Sequence, residues 1–319
     1  MRNCFRRGMV FLAFAAAVSA QSPKLAFEVA TIKPSAALTP DMVRAGKLHV
    51  GMSVDKARVD IGFFSLSDLI RTAYKVKAFQ ISGPDWLSAQ RFDILAKMPD
   101  GATEEQVPEM LQSLIAERFK VELHHSTKEQ SVYVLVVAKG GSKLKEATAD
   151  ADAPPTEAEA KNAQTITTNQ GKMSVNANPD GQGATIKGGP AGAMKMSMQN
   201  GSMHMEFKKM SMDRLVDMLS GMTDKPVVDQ TELKGNYEVA LDLSMDDMRN
   251  AARKAGAAMG GMGMPMAAGG APGGGPLEAT DPSATIFSSI AQMGLKLESR
   301  KAPLDLLVID KAEKMPTEN

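Results

Sequence analysis

Ser65-Leu66-Ser67-Asp68-Leu69-Ile70 and Ser211-Met212-Asp213-Arg214-Leu215-Val216 match residue for residue at one constant offset. Apolar Leu66, Leu69, Ile70 and Ala73 fall on Met212, Leu215, Val216 and Leu219, which is the i, i+3, i+4, i+7 stripe of an amphipathic helix. Ser65 and Ser211 stand just before the stripes as N-caps, because a hydroxyl there can accept from free backbone amides of the first turn. A repeat of this length constrains the fold more than any single motif, since each copy is expected to build the same supersecondary unit.

The match extends in both directions. Upstream of each helix a hairpin is expected, from Leu48 to Val54 and Ala57 to Ile61, and again from Met194 to Met198 and Met203 to Phe207. Downstream, the alternating strand Arg91 to Ala96 corresponds to Tyr237 to Leu241, with Phe92 and Tyr237 in equivalent places. A second helix follows, Met110, Leu111 and Leu114 aligning with Ile286, Phe287 and Ile290. Two further strand pairs close each copy: Phe119–Glu122 with Leu295–Glu298, and Val132–Val137 with Leu304–Ile309. The fold class is therefore α+β: two diverged copies of a β-hairpin/α/β-β/α/β-β unit, at 26–145 and 191–313.

Residues 146–190 hold few large apolar side chains and are expected to be a disordered linker, unable to bury enough surface to offset their ordering entropy. A second low-complexity stretch, 249–281, interrupts the later unit where the earlier one has only a short loop. Surface loops accept such insertions because closure entropy grows slowly with length.

Residues 1–20 read as a secretory signal peptide. Arg2, Arg6 and Arg7 make a basic start, Met9 to Val18 an apolar run, and Val18-Ser19-Ala20 a small-residue cleavage site before Gln21. The run is short for a bilayer span of about 20 residues. Cleavage would take three arginines and no acid from a chain of 37 basic and 37 acidic residues, giving the mature part a formal net charge of −3. It would also take Cys4, the single cysteine, and with it any disulfide or thiolate chemistry. An exported location, periplasmic or extracellular, is expected, with no membrane span after cleavage. The charge balance and the lack of a basic stripe with interleaved aromatics argue against nucleic acid as a partner.

Phe27-Glu28-Val29-Ala30-Thr31-Ile32-Lys33-Pro34, Gly83-Pro84-Asp85-Trp86 with Arg91-Phe92-Asp93-Ile94, Leu111 to Phe119, and the ending Leu307-Val308-Ile309-Asp310 with Pro316-Thr317-Glu318-Asn319 together resemble a known group. It is the soil-associated secreted family of unknown function typical of Acidobacteria. The resemblance implies an exported protein without an assigned activity; some relatives carry this region behind a membrane metallopeptidase, which implies a sensory or binding role. The peptidase's His-Glu-x-x-His is not in this chain. The repeated arrangement is also similar, in pattern more than in residues, to the short N-terminal domain of secretins and TonB-dependent receptors.

Three constellations bear on chemistry. The chain has 24 methionines, and Met203, His204 and Met205 sit within a dense run of them; thioethers with imidazole suit Cu(I). The competing reading is that alternate methionines fill a core face, where the flexible side chain adapts to irregular gaps. His124-His125 follow a strand and point to opposite faces, so one metal is not chelated by both. Trp86 could stack on a ligand or pack over a sheet edge. Asp93 and Asp68 correspond to Glu238 and Arg214, so the copies share no acid–base pair. Gly140-Gly141-Ser142 is no nucleophile elbow, and the glycine run at 269–275 lacks the Lys-Ser/Thr of a phosphate loop.

The expectation is an exported, non-enzymatic binding or interaction module of the bacterial envelope, without a cofactor. Its expected partner is an envelope protein or extended peptide held at a strand edge. The alternatives are a periplasmic methionine-rich copper-binding protein using Met203, His204 and Met205, and an envelope hydrolase with an unfamiliar site.

Overall fold

The computed structural model describes residues 25–39, 41–42, 45–46, 48–148, 163–169, 171–178, 181–188, 192–199, 201–249 and 284–317. The signal peptide expected at 1–20 and the low-complexity insertion expected at 249–281, apart from Arg249, lie outside the described residues.

The first half runs β1 (Val29–Pro34), β2 (Gly51–Asp55), β3 (Arg58–Ser65), α1 (Leu66–Tyr74), β4 (Ile81–Ser82), β5 (Arg91–Lys97), α2 (Val107–Arg118), β6 (Glu122–Val137) and β7 (Lys145–Glu146). The second runs β8 (Gln164–Thr168), β9 (Gly171–Ala177), β10 (Gly183–Gly188), β11 (Met194–Gln199), β12 (Ser202–Ser211), α3 (Met212–Met222), β13 (Val227–Asp229), β14 (Asn236–Leu243), α4 (Ala284–Gln292) and β15 (Leu295–Lys311). The fold is α+β. Its three sheets have strand orders β1-β5-β3-β2, β7-β14-β12-β11-β10-β9-β8 and β13-β6-β15-β4.

Both expected N-caps are present. Ser65 Oγ accepts from the Asp68 amide, and the Asp68 carboxylate accepts in turn from the Ser65 amide, closing a capping box at α1. Ser211 caps α3 by accepting from the Arg214 amide, but arginine at the third helical position cannot return the bond. Each helix buries its apolar stripe, Leu66, Leu69, Ile70 and Ala73 in α1 and Met212, Leu215, Val216 and Leu219 in α3.

The two strands expected after α2 are one strand, and so are the two expected after α4. β6 and β15 run antiparallel along nearly their whole lengths, from Leu295↔Val137 to Lys311↔Glu122. Between the apolar ends of β6 lie His124 to Ser131, which contain no glycine, proline, asparagine or aspartate to break the strand. Pro303 in β15 pairs with Glu129. On the far side of β6, the Tyr133 amide donates to Pro226 O, so odd-numbered residues of β6 face away from β15. Pro303 therefore occupies a non-hydrogen-bonded pair, where its missing N–H costs no ladder bond.

This ribbon joins the halves. The core of the first half, built from α1, α2 and the inner faces of β3 and β5, also contains Leu307 and Ile309 of β15. The core of the second half, around α3, α4, β12 and β14, contains Leu135 of β6. The short parallel strands cross in the same way: β4 pairs with β15 through Leu307↔Ile81, and β13 pairs with β6 through Val227↔Tyr133.

The linker expected at 146–190 is corrected in part. Gln164–Thr168, Gly171–Ala177 and Gly183–Gly188 form β8, β9 and β10, which extend the second sheet antiparallel from β11. Thr165, Ile166, Thr167, Thr168, Val175, Thr185 and Ile186 are β-branched, and paired backbone compensates for the small apolar area they bury. The part from 149 to 162 lies outside the described residues.

Candidate functional site

Strand alternation decides which polar groups meet on the outer face of the first sheet. Val59 and Ile61 of β3 and Phe92, Ile94 and Ala96 of β5 point into the core, so Asp60, Asp93 and Leu95 point out. Here they line a hollow of about 380 Å³ together with Thr31, Lys33 and His49. His49 reaches it because its backbone passes directly over Gly62, where a β-carbon would sit 2.3 Å from the His49 carbonyl oxygen. His49 Nε2 lies 2.7 Å from Asp60 Oδ1, and Nδ1 lies 3.4 Å from Asp93 Oδ2. Asp93 Oδ1 also accepts from Ser35 Oγ at 2.5 Å and from the Phe63 amide at 3.0 Å. Arg58 donates to Asp60 Oδ2 at 3.0 Å.

Burial alone would lower the pKa of His49, but the hydrogen bond to Asp60 and the charge of Asp93 outweigh it and raise the value above 6.5. Asp60 is affected in the opposite sense: desolvation would raise it, and the bonds from His49 and Arg58 bring it below 3.8. The cluster is thus an imidazole held between two carboxylates that favour its protonated form. The acids stand on opposite edges of the ring, so a metal bound to one nitrogen would meet only one of them. Ser35 Oγ gives its proton to Asp93 and not to the imidazole, which leaves the nucleophile–base contact of a hydrolytic triad unformed.

The outer face of the second sheet carries a similar clamp. His204 Nδ1 lies 2.7 Å from Asp242 Oδ1 and Nε2 lies 3.2 Å from Glu206 Oε1. Its pKa is raised, first by the hydrogen bond to Asp242, with desolvation opposing and Glu206 assisting.

Of the copper candidates, Met205 is buried in the core of the second half and Met203 packs against that core, while His204 points to the other face. One residue of separation along β12 reverses the face, so the strand sends the thioethers and the imidazole apart. Trp86 is half-buried against the first core, with Lys314 Nζ 5.8 Å from its ring centroid. His124 Nδ1 contacts Asp310 Oδ2 at 2.8 Å on the exposed ribbon. Sequence reasoning missed Asp60 as a partner of His49. The alternation Arg58-Val59-Asp60-Ile61 placed it on the solvent face, but nothing local showed that His49 would fold back over Gly62.

An α+β protein of two halves threaded through one shared sheet, with a histidine–carboxylate clamp on each outer face, is the class the fold and these sites define. The chain belongs to the family described as Protein of unknown function (DUF3738), whose model matches residues 67–312. That span runs across both halves, from α1 to the residue after β15, as one match. No curated protein and no solved structure matches the chain.

Proposed function

We propose that this protein is an exported, non-enzymatic binding module of the bacterial envelope or secreted space, which holds an extended segment of a protein partner by strand addition. The observation that carries this reading is the edge in front of β2. There β8 lies along residues 46–50: the Leu48 amide donates to Thr167 O at 2.8 Å, the Thr167 amide to Gly46 O at 2.6 Å, and the Asn169 amide to Val50 O at 3.1 Å. A polar strand is thus recognised through its main chain, the hallmark of this mode. Beyond Asn169 the edge continues into β2. Asp55 and Arg58 flank a two-residue turn and form a hydrogen-bonded pair, so Met52 and Val54 turn their amides away from β3.

We further propose that the halves are diverged copies of one unit that have exchanged their final strands. Support comes from irregularities at corresponding places: the β3–β5 ladder shifts between Ile61 and Phe64, and the β12–β14 ladder between Phe207 and Met210. Export rests on Arg2, Arg6 and Arg7, the apolar run to Val18, and the small residues before Gln21.

A photo-crosslinking side chain at position 52 in living cells tests the binding reading. A partner should be captured there, more strongly in Thr167→Pro, which removes a β8 bond to the edge, and less in Val54→Pro, which removes an edge amide. Capture that ignores both prolines would sink it.

A further inference from the structure

Where α1 meets the bulged region of β3 and faces α3, a cleft of about 620 Å³ opens. That size lies within the range of small-molecule sites, ~300–1,000 Å³. Four cationic side chains line it, Arg71, Lys75, Lys77 and Arg91, against two carboxylates, Asp68 and Asp217. The formal surplus is therefore two positive charges.

The bonding within the cleft leaves part of that surplus uncompensated, although Lys77 Nζ also lies 3.6 Å from Asp213 Oδ1. Asp68 is already shared: its Oδ2 accepts from the Ser65 amide, from Ser65 Oγ and from Arg91 Nη1 at 2.5 Å, and its Oδ1 meets Arg71 Nη1 only at 3.4 Å. Asp217 is engaged by Lys77 Nζ at 3.0 Å. Arg71 Nε is buried and has no hydrogen-bond partner among the described residues. Lys75 is exposed at the end of α1 in a left-handed conformation, φ 53°, and makes no ion pair among the described residues.

One wall is apolar. Phe63 and Phe64 line the cleft, and the Arg91 guanidinium stands 5.6 Å from the Phe63 ring centroid. Phe63 is held at φ 59°, an unusual backbone for a bulky side chain, by the Asp93 carboxylate that accepts from its amide. That conformation belongs to the bulge that turns its ring toward the cations.

We propose that the cleft is a binding site for a small organic dianion, phosphate- or carboxylate-bearing, whose charged end meets Arg71 and Lys75 and whose ring lies against Phe63. A guanidinium fork matches either headgroup in a bidentate manner. The cleft borders the strand edge proposed above, since Val50 and Gly51 also line it, but the anion reading rests on the cationic side chains and not on that edge.

Calorimetric titration of the mature chain at low salt with phenyl phosphate, benzene-1,2-dicarboxylate and inorganic phosphate tests this. At least one of the two ring-bearing probes should bind, and the tighter of them identifies the headgroup. Inorganic phosphate should bind more weakly than either bound probe. Loss of one charge-assisted contact corresponds to about a tenfold weakening, expected in Lys75→Gln and in Arg71→Lys, which keeps the charge but loses the fork. Lys75 is exposed, so its variant is expected to fold; unaltered circular dichroism checks this. Lys128→Gln, on the exposed ribbon, should bind as the parent does. Failure of both ring-bearing probes to bind, equal binding by Lys75→Gln, equal weakening in Lys128→Gln, or inorganic phosphate binding as tightly as phenyl phosphate would overturn the assignment.

Discussion

Leu307 on β15 pairs with Ile81 on β4, and through that contact the last strand of the chain completes the core of its first half. Leu135 does the converse, lying fully buried in the core of the second half though it belongs to the first. Neither core is closed without the other half. Equilibrium unfolding of residues 21–319 is expected to show one transition by circular dichroism and by fluorescence of Trp86. Leu135→Ala and Leu307→Ala should each lower stability by about 2–5 kcal/mol, the range for a leucine truncated in a packed core. A fragment of residues 25–148 should not fold alone, because Val132, Val134 and Leu135 would lose their partners. Two separable transitions would show that the strands crossing between the halves contribute little.

The two helix starts differ in a way that stability measurements can read. Ser65 and Asp68 satisfy each other's backbone amides, whereas Ser211 caps without a return bond. Replacing either serine with alanine should cost about 1 kcal/mol. The loss at Ser65 should be the larger, because Asp68 Oδ2 then also loses the hydroxyl at 2.6 Å. Denaturant midpoints of Ser65→Ala and Ser211→Ala compared at constant slope check the order.

Periodicity and capping chemistry made α1, α3 and the alternating strands legible in the sequence, because those signals act within a few residues. The joining of strands across the ribbon was not legible. Val132–Val137 and Leu304–Ile309 read as strands, but no local pattern says which half they close. The segment 164–188 misled for a different reason: its composition is that of a linker, yet its threonines, isoleucines and Val175 gain order from the edge of β11. Of the candidate site, alternation set Met203 and Met205 on one face of the strand and so His204 on the other, whereas Asp60 was not singled out. The meeting of His49 with both Asp60 and Asp93 depended on a close passage over Gly62 that sequence alone does not reveal.

The methionines of β12 give a test that separates packing from chemistry. Met205 is buried among the second core, and Met203 packs against it. Met205→Leu keeps both volume and apolarity, so the expected loss is under about 1.5 kcal/mol. Met205→Ser should cost several times as much by leaving a cavity and a buried hydroxyl. If a Cu(I) competition assay detects an ion that Met205→Leu releases, the strand must rearrange on binding, and the core placement of Met205 would not describe the bound form.

His204 offers the clearest dependence on pH. Its folded-state pKa lies above the ordinary 6.5, chiefly through the bond to Asp242. A raised value means that the folded protein favours the imidazolium. The resulting stability is fully present below 6.5 and is lost as pH rises through the folded value. His49 carries the same sign, with Asp60 and Asp93 overcoming its desolvation. The protein should therefore lose stability between mildly acidic and mildly alkaline pH. Asp242→Asn should flatten that slope, because the amide cannot favour the charged ring as the carboxylate does. His49→Gln combined with His204→Gln should flatten it further. Denaturation midpoints measured across that interval check the sign. A parent whose stability instead rises through it would overturn the sign given to the two histidines; Asp60, lowered below 3.8, is ionised throughout this interval and adds no slope there.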